Sequence, residues 1–425
     1  MTHSLNQNLR KYLIAILLMM SVGFVSAQIS IESCQEKAKA NYPLIKQYDL
    51  ISKSVEYNIS NANKAYLPQI SVTGIGAYIF KGLPQTTLPG VPPKEPDKFQ
   101  LIGIGQLNQT IWDGGATRSQ KEIAKANGEV ERANIDVALH SIKERVNQIY
   151  FGILLIDEQV NQLVILQGTI NRNLNAVTLS KDNGLAYQTD VDELKAESMK
   201  LDQRKIEFRY TRKGYIEMLS YLTGQQLNEE AQLQKPVVLD SVYSHSNNRP
   251  ELNLYANQRK LSIAQASINR VYNMPKIGVL GAGVLIEPGI GFGTSTLNSI
   301  AIGGVSVAWN TSGIYKTSNN RQLDKIRMDR ISNQEETFLF GTNLQLKQTQ
   351  SDIEKQKAVL AKDHEIVELK EKIRNGYQKK YENGMSSMND VIQAINKESE
   401  AKSQEAMHQV QLLMSLYQYQ TINGN

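Results

Sequence analysis

Apolar residues in the middle of the chain recur in alternating steps of four and three. Ile135, Leu139, Ile142, Val146, Ile149, Ile153, Ile156, Val160 and Leu163 form one run, and after a slip at Gln167 it resumes at Ile170, Leu174 and Val177. A spacing that averages 3.5 residues is a heptad seam, and it implies a partner helix wound with a left-handed supercoil. No proline lies between residues 97 and 235 or after 288. Proline inside a helix costs about 3 kcal/mol or more, so both stretches are free to form long helices. The pattern predicts helices over 115–181 and 316–382, each about 100 Å long at 1.5 Å per residue. Few compact domains hold a rod of that length.

The sequence also repeats itself. Asn41-Tyr42-Pro43-Leu44-Ile45 returns as Asn248-Arg249-Pro250-Glu251-Leu252, and Leu67-Pro68-Gln69-Ile70 as Met274-Pro275-Lys276-Ile277, with both prolines displaced by 207. Ile111-Trp112-Asp113 matches Ala308-Trp309-Asn310 at 197, and Asn183-Gly184 before Thr189-Asp190-Val191 matches Asn383-Gly384 before Asn389-Asp390-Val391 at 200. Four matches in one order are specific where single ones are not. Each half reads helix, strand, loop, strand, long helix, turn, helix. Gly184 and Gly384 stand at turns that call for positive φ, so each long helix folds back there. The remaining helices are expected over 30–65, 187–223, 250–273 and 385–422. Pairs of shorter helices stacked end to end match one long helix in length, so the halves are two copies of one tall unit.

Between Pro68 and Phe80, and again from Phe99 to Trp112, the composition turns to β-branched residues, glycine and aromatics. Leu107 and Ile111 alternate with Gln106, Asn108 and Thr110, which is the period of a half-buried strand. The second half offers Ile277–Ile286 and Ile300–Trp309, with Val305, Val307 and Trp309 opposite Gly304, Ser306 and Ala308. About ten residues of alternating character is the signature of a tilted membrane strand, with lipid on one side and water on the other. Trp112 and Trp309, the only tryptophans, each end their half's second strand, where an aromatic belt at a membrane interface would put them. The plainer alternative, a buried Trp capping a sheet, is weakened by the matching placement in both repeats. The 81–98 connection, with five prolines, is an exposed loop, and Gly289, Gly291 and Gly293 mark a second. Four strands cannot close, and open edges in lipid leave backbone groups unpaired at several kcal/mol each. Closure requires further copies of the chain: eight strands in a dimer, twelve in a trimer.

Arg10 and Lys11 precede an apolar run from Tyr12 to Val25, and Val25-Ser26-Ala27 supplies the small residues of a signal-peptidase site. Residues 1–27 are therefore expected to be a signal peptide. The rest divides into a first structural repeat over 28–228, a linker over 229–248 and a second repeat over 249–425. Without the signal, 45 basic residues stand against 42 acidic, so composition forces no basic face for nucleic acid. No later run of about 18 apolar residues predicts a transmembrane helix. The single cysteine, Cys34, excludes an intrachain disulfide and reads as a packed thiol near the start of the first helix.

In this order and duplicated, the motifs resemble those of the TolC family of outer-membrane efflux proteins, over essentially the whole mature chain. They are Ile31-Glu32-Ser33-Cys34 leading to Asn41-Tyr42-Pro43, Leu67-Pro68-Gln69-Ile70, Trp112-Asp113-Gly114-Gly115, and the two turns. The resemblance implies a mainly α chain with a membrane β-barrel portion. Long helical hairpins would form a periplasmic α-barrel, and four β-strands per chain would complete a twelve-stranded barrel in a homotrimer. It further implies an exit duct in the outer membrane that serves a tripartite efflux or type I secretion system, with an inner-membrane transporter and a periplasmic adaptor (a membrane fusion protein). Carried over by position, Asp190 resembles the acceptor of an inter-helix hydrogen bond that holds the periplasmic end closed, and Tyr381 its donor. Asp390 resembles a member of the constricting acidic ring. Two positions depart from the family pattern: Ser386 stands where the latch carries an arginine, and Gln393 stands at a second acidic ring position. The ring would then hold three carboxylates per trimer, which repel, raise one another's pKa and attract cations. The plainer reading of Asp190 and Asp390 is as acidic residues favoured in a helix's first turn.

No enzyme chemistry is indicated. His3, His140, His245, His364 and His408 are too scattered for metal ligation, and no Gly-x-Ser-x-Gly or phosphate loop occurs. No cofactor is implied, and the Gly289–Gly293 run lacks the acidic partner and helix start of a dinucleotide site. The alternative to a passive channel is a structural coiled-coil protein of the cell envelope, which explains the heptads and signal but leaves the paired strands without a role.

Overall fold

The computed structural model describes residues 29–78, 80, 98–237, 247–287 and 298–425. The expected signal peptide, the body of the Pro-rich 81–98 connection, the Gly289–Gly293 loop and part of the 229–248 linker lie outside these residues. In chain order the elements are α1 (Ile31–Asn41), α2 (Gln47–Asn63), β1 (Gln69–Tyr78), β2 (Phe99–Trp112), α3 (Ala116–Asp182), α4 (Gln188–Thr223), α5 (Pro250–Val271), β3 (Lys276–Glu287), β4 (Asn298–Ala308), α6 (Thr317–Glu382) and α7 (Met388–Ile422). The two long helices have 67 and 66 residues, and the order repeats in the two halves as expected.

One expectation fails. The helix over 30–65 is broken into α1, a short 3-10 turn at Pro43–Lys46, α2 and a second 3-10 turn at Lys64–Tyr66. Pro43 is the cause, because its ring drives the residue before it out of the α region. Tyr42 accordingly sits at φ −67°, ψ 130°.

The chain forms two compact units that cut across the repeats, each taking segments from both. The described part of the first comprises residues 29–45, 136–237, 247–250 and 339–425. Here the heptad seam is buried: Leu139, Val146, Ile149, Ile153 and Ile170 are at most 3 % exposed. One core joins the seam to Ile31, Cys34 and Ala38 of α1, Ile216 and Leu219 of α4, and Val410 and Leu413 of α7. Fully burying each such side chain contributes about 1.5–3 kcal/mol, so packing outweighs intrinsic propensity in holding α3. Cys34 is buried here as a free thiol. A window of α3 is apolar enough to cross a membrane by length and composition, which the sequence reading did not expect; 44 % of it is buried inside the protein.

The second unit comprises residues 46–135 and 251–338. It holds an antiparallel sheet in the order β1-β2-β3-β4, so the strands of both repeats share one sheet through the β2–β3 pair. Among the described residues, the two outer edges, on β1 and β4, have no strand partner.

Candidate functional site

Paired residues of an antiparallel sheet share a face, so the register assigns every strand side chain. One face carries Ile70, Val72 and Tyr78 of β1, Phe99, Leu101 and Leu107 of β2, Val279 and Leu285 of β3, and Val305 and Val307 of β4. Its middle is lined by small residues, including Gly74, Gly103, Gly105, Gly283 and Ala301, and its polar members are Gln109, Glu287 and Ser299. The opposite face is divided. Ser71, Thr73, Gln106, Asn108, Thr110 and Ser306 lie near the helical end, whereas Ile75, Ile102, Ile104, Val284 and Ile300 lie beyond them.

A bulge corrects the alternation read from sequence. Counted by twos, Trp112 would share a face with Gln106 and Ile111 one with Leu107. The register shifts between Thr110 and Trp112, so Trp112 pairs with Ile277 and joins the apolar face. Trp309 continues the alternation of Val305 and Val307, is 62 % exposed, and donates from Nε1 to the Asn273 carbonyl at 3.1 Å. At the other end of the sheet, Tyr78 pairs with Phe99, and Tyr78 and Phe80 meet edge to face at 5.1 Å. These aromatics were missed in the sequence, although their mirrored places at the two strand ends were a usable signal.

In the first unit, the turns between α3 and α4 and between α6 and α7 are built alike. Gly184 and Gly384 have φ of 76° and 70°. The Gly184 N–H donates to the Lys181 carbonyl and Leu185 N–H to Ser180; Gly384 and Met385 donate likewise to Tyr381 and Lys380, at matching distances of 2.9 and 2.8 Å. This is the Schellman arrangement, which satisfies the last carbonyls of a helix and needs a left-handed residue. Asn183 and Asn383 add side-chain bonds to Leu179 and Lys379, both at 2.8 Å.

The returning helices begin on the aspartates. Asp190 accepts from the Tyr187 N–H at 3.1 Å. Asp390 accepts from the Ser387 N–H at 3.0 Å and hydroxyl at 2.8 Å, while Ser387 Oγ accepts from the Asp390 N–H at 3.2 Å. This capping box satisfies helix-end donors reciprocally. It holds the Asp390 carboxyl below its ordinary pKa, chiefly through the Ser387 hydroxyl. Val191, Val391 and Met388 pack beneath, in a core with Ile170, Val177 and Leu194.

Tyr381 packs against the same core, and burial followed by the nearby Asp190 charge raises its phenol. Among the described residues Tyr381 makes no hydrogen bond to Asp190, whose carboxylate is taken by the Tyr187 N–H. Ser386 Oγ is buried without a partner, and Gln393 is exposed. A nearby ion cluster had no distinctive sequence signature. Glu398 of α7 accepts from Arg374 Nε of α6 at 2.7 Å and from Lys402 Nζ at 2.6 Å. Burial pushes its carboxyl up, but these two partners outweigh it and leave the pKa lowered. Among the described residues no group of His, Cys, Asp or Glu could hold a metal ion.

Solved structures similar to this chain include outer-membrane proteins. VceC of Vibrio cholerae is 13 % identical with a TM-score of 0.63, covering 92 % of this chain and 96 % of its own. The Campylobacter jejuni channel CmeC is also 13 % identical, at 0.60, over 93 % and 85 %. The Neisseria gonorrhoeae channel MtrE, solved in its open state, is 15 % identical, at 0.60, over 92 % and 88 %. The chain has the TolC-type channel fold. No family model matches the sequence, and no curated protein does.

Proposed function

We propose that the chain is one subunit of a passive exit duct in the outer membrane, with a large periplasmic portion. It would be the outer component of a tripartite efflux or type I secretion system. The observation that carries this reading is the sheet: its face of apolar and small residues has aromatics at both ends, and its two edges lack strand partners among the described residues. Strands of 10 to 14 residues span roughly 25–35 Å when tilted about 40°, which suits a hydrocarbon layer. The apolar face then meets lipid. Three chains supply twelve strands and leave no edge exposed. A coiled-coil spacer of the envelope has no use for such a sheet.

The TolC-type fold supports further assignments. The channel is not an enzyme; a periplasmic adaptor and an inner-membrane transporter deliver its cargo, and the tips near Gly184 and Gly384 form the gate. Asp390 supplies the constricting ring there, and Asp190 with Tyr381 steadies the closed form across subunits. The test is purification in detergent with mass measurement of the intact complex. A heat-modifiable trimer is expected, whereas a monodisperse monomer in plain buffer with no affinity for lipid overturns the proposal. For the ring, conductance of reconstituted Asp390→Ala should lose its block by divalent and trivalent cations; unchanged block removes Asp390 from the constriction.

A further inference from the structure

The duplication provides an internal control, because each repeat has a junction where its second strand passes into its long helix, and the two junctions differ. In the first, Tyr66 Oη donates to Asp113 Oδ1 at 3.0 Å, and Lys121 Nζ donates to Asn63 Oδ1 at 3.0 Å, tying the end of α2 to the start of α3. The displacement of 207 carries Asn63 to Arg270 and Tyr66 to Asn273; the displacement of 200 carries Thr117 to Thr317 and Lys121 to Arg321. A bridging lysine–amide pair has become two guanidinium groups that cannot bond each other, and a phenol has become a smaller amide.

Between α5 and α6 a groove of about 330 Å³ opens, lined among others by Asn269, Arg270, Asn273, Asn320, Arg321 and Asp324. The Asp324 carboxylate is engaged by Arg327 Nη1 at 3.3 Å and Asn269 Nδ2 at 3.4 Å. Among the described residues, neither Arg270 nor Arg321 has an ion-pair partner. The groove therefore carries surplus positive charge beside amide donors. It also adjoins Trp309, whose indole is bonded to the Asn273 carbonyl.

We propose that this groove binds a phosphate group, with the headgroup of an anionic membrane lipid as its source. The lipid source rests on the membrane reading above. Guanidinium forks match phosphate oxygens two at a time, and basic groups just outside the hydrocarbon layer are where headgroups are held. Both forks line the one groove beside Trp309, which places them to meet one phosphodiester.

The test is native mass spectrometry of the intact detergent-purified assembly titrated with phosphatidylglycerol, beside flotation with phosphatidylglycerol–phosphatidylcholine vesicles. Replacing both arginines (Arg270→Asn with Arg321→Asn) should raise the phosphatidylglycerol concentration for half occupancy about tenfold. Arg270→Lys with Arg321→Lys, which keeps the charge and loses the fork, should fall between. Lys325→Asn with Arg330→Asn removes as much charge outside the groove and should leave occupancy unchanged. Equal lipid binding by wild type and the asparagine variant overturns the proposal, as does an equal loss in the outlying control. If the asparagine variant instead dissociates in lipid-free detergent with its lipid count unaltered, the groove seats a carboxylate of a second copy, and the proposal fails. Displacement of lipid by millimolar inorganic phosphate supports the site and overturns the lipid as its source. Wild-type protein that stays out of vesicles overturns the membrane reading and the lipid source with it; protein that enters vesicles but binds lipid independently of the arginines overturns the groove alone.

Discussion

Asp390 shows how one carboxylate serves local folding before any role in a pore. Its ordinary value is 3.8, and the Ser387 hydroxyl and N–H lower it. A lowered pKa means the interaction stabilises the folded chain above the ordinary value and is lost as pH falls through the lowered one. Ser387→Ala should cost about 1 kcal/mol at pH 7, as lost helix caps do. Denaturant unfolding should show that difference narrowing below pH 4; a difference independent of pH would mean the carboxylate plays no part. The helix-start reading of Asp390 was available from the sequence, since Ser387 stands three residues before it. The pore reading came only through the family resemblance, because repulsion among carboxylates on one axis would arise only between copies. The face of Trp112 was not legible for a related reason: a one-residue bulge reverses alternation and leaves no mark in composition.

The long helices were the most legible elements. The expected limits 115–181 and 316–382 differ by at most one residue from α3 and α6, because proline-free length sets their span and a positive-φ glycine marks the C-terminal end of each. The seam makes a direct prediction. Ile170→Ala, at a fully buried position, should destabilise by about 2–5 kcal/mol. Arg172→Ala, two residues on and exposed, should stay within about 0.5 kcal/mol. Similar losses at both sites in thermal unfolding would show that the seam is not the packed face. The first helix was misjudged because length was weighed ahead of Pro43. The groove between α5 and α6 was legible only in part: Arg270 and Arg321 could be aligned with Asn63 and Lys121, but nothing in one dimension says that those pairs meet.

On the proposed membrane reading, the whole molecule turns on which sheet face meets lipid. Val72, Gly105, Gly283 and Ala301 form one row across all four strands on the apolar face, while Thr73 points the other way. Val72→Lys should abolish the heat-modifiable assembly, since a lysine at mid-depth on a lipid face costs about 2–4 kcal/mol. Thr73→Lys should leave assembly intact and change conductance. The reverse pattern in the two variants would invert the barrel.

The central seam of the sheet sets Leu101 against Glu287, 186 positions further along. The β1–β2 hairpin is local and can form as soon as it emerges, yet the free side of β2 must wait while α3, α4 and α5 are synthesised. Pairings so distant form slowly, and an uncovered strand edge invites association with the wrong neighbour in the meantime. Folding of the sheet thus contains a non-local step, in which the β2 edge of the first hairpin stands open until β3 arrives.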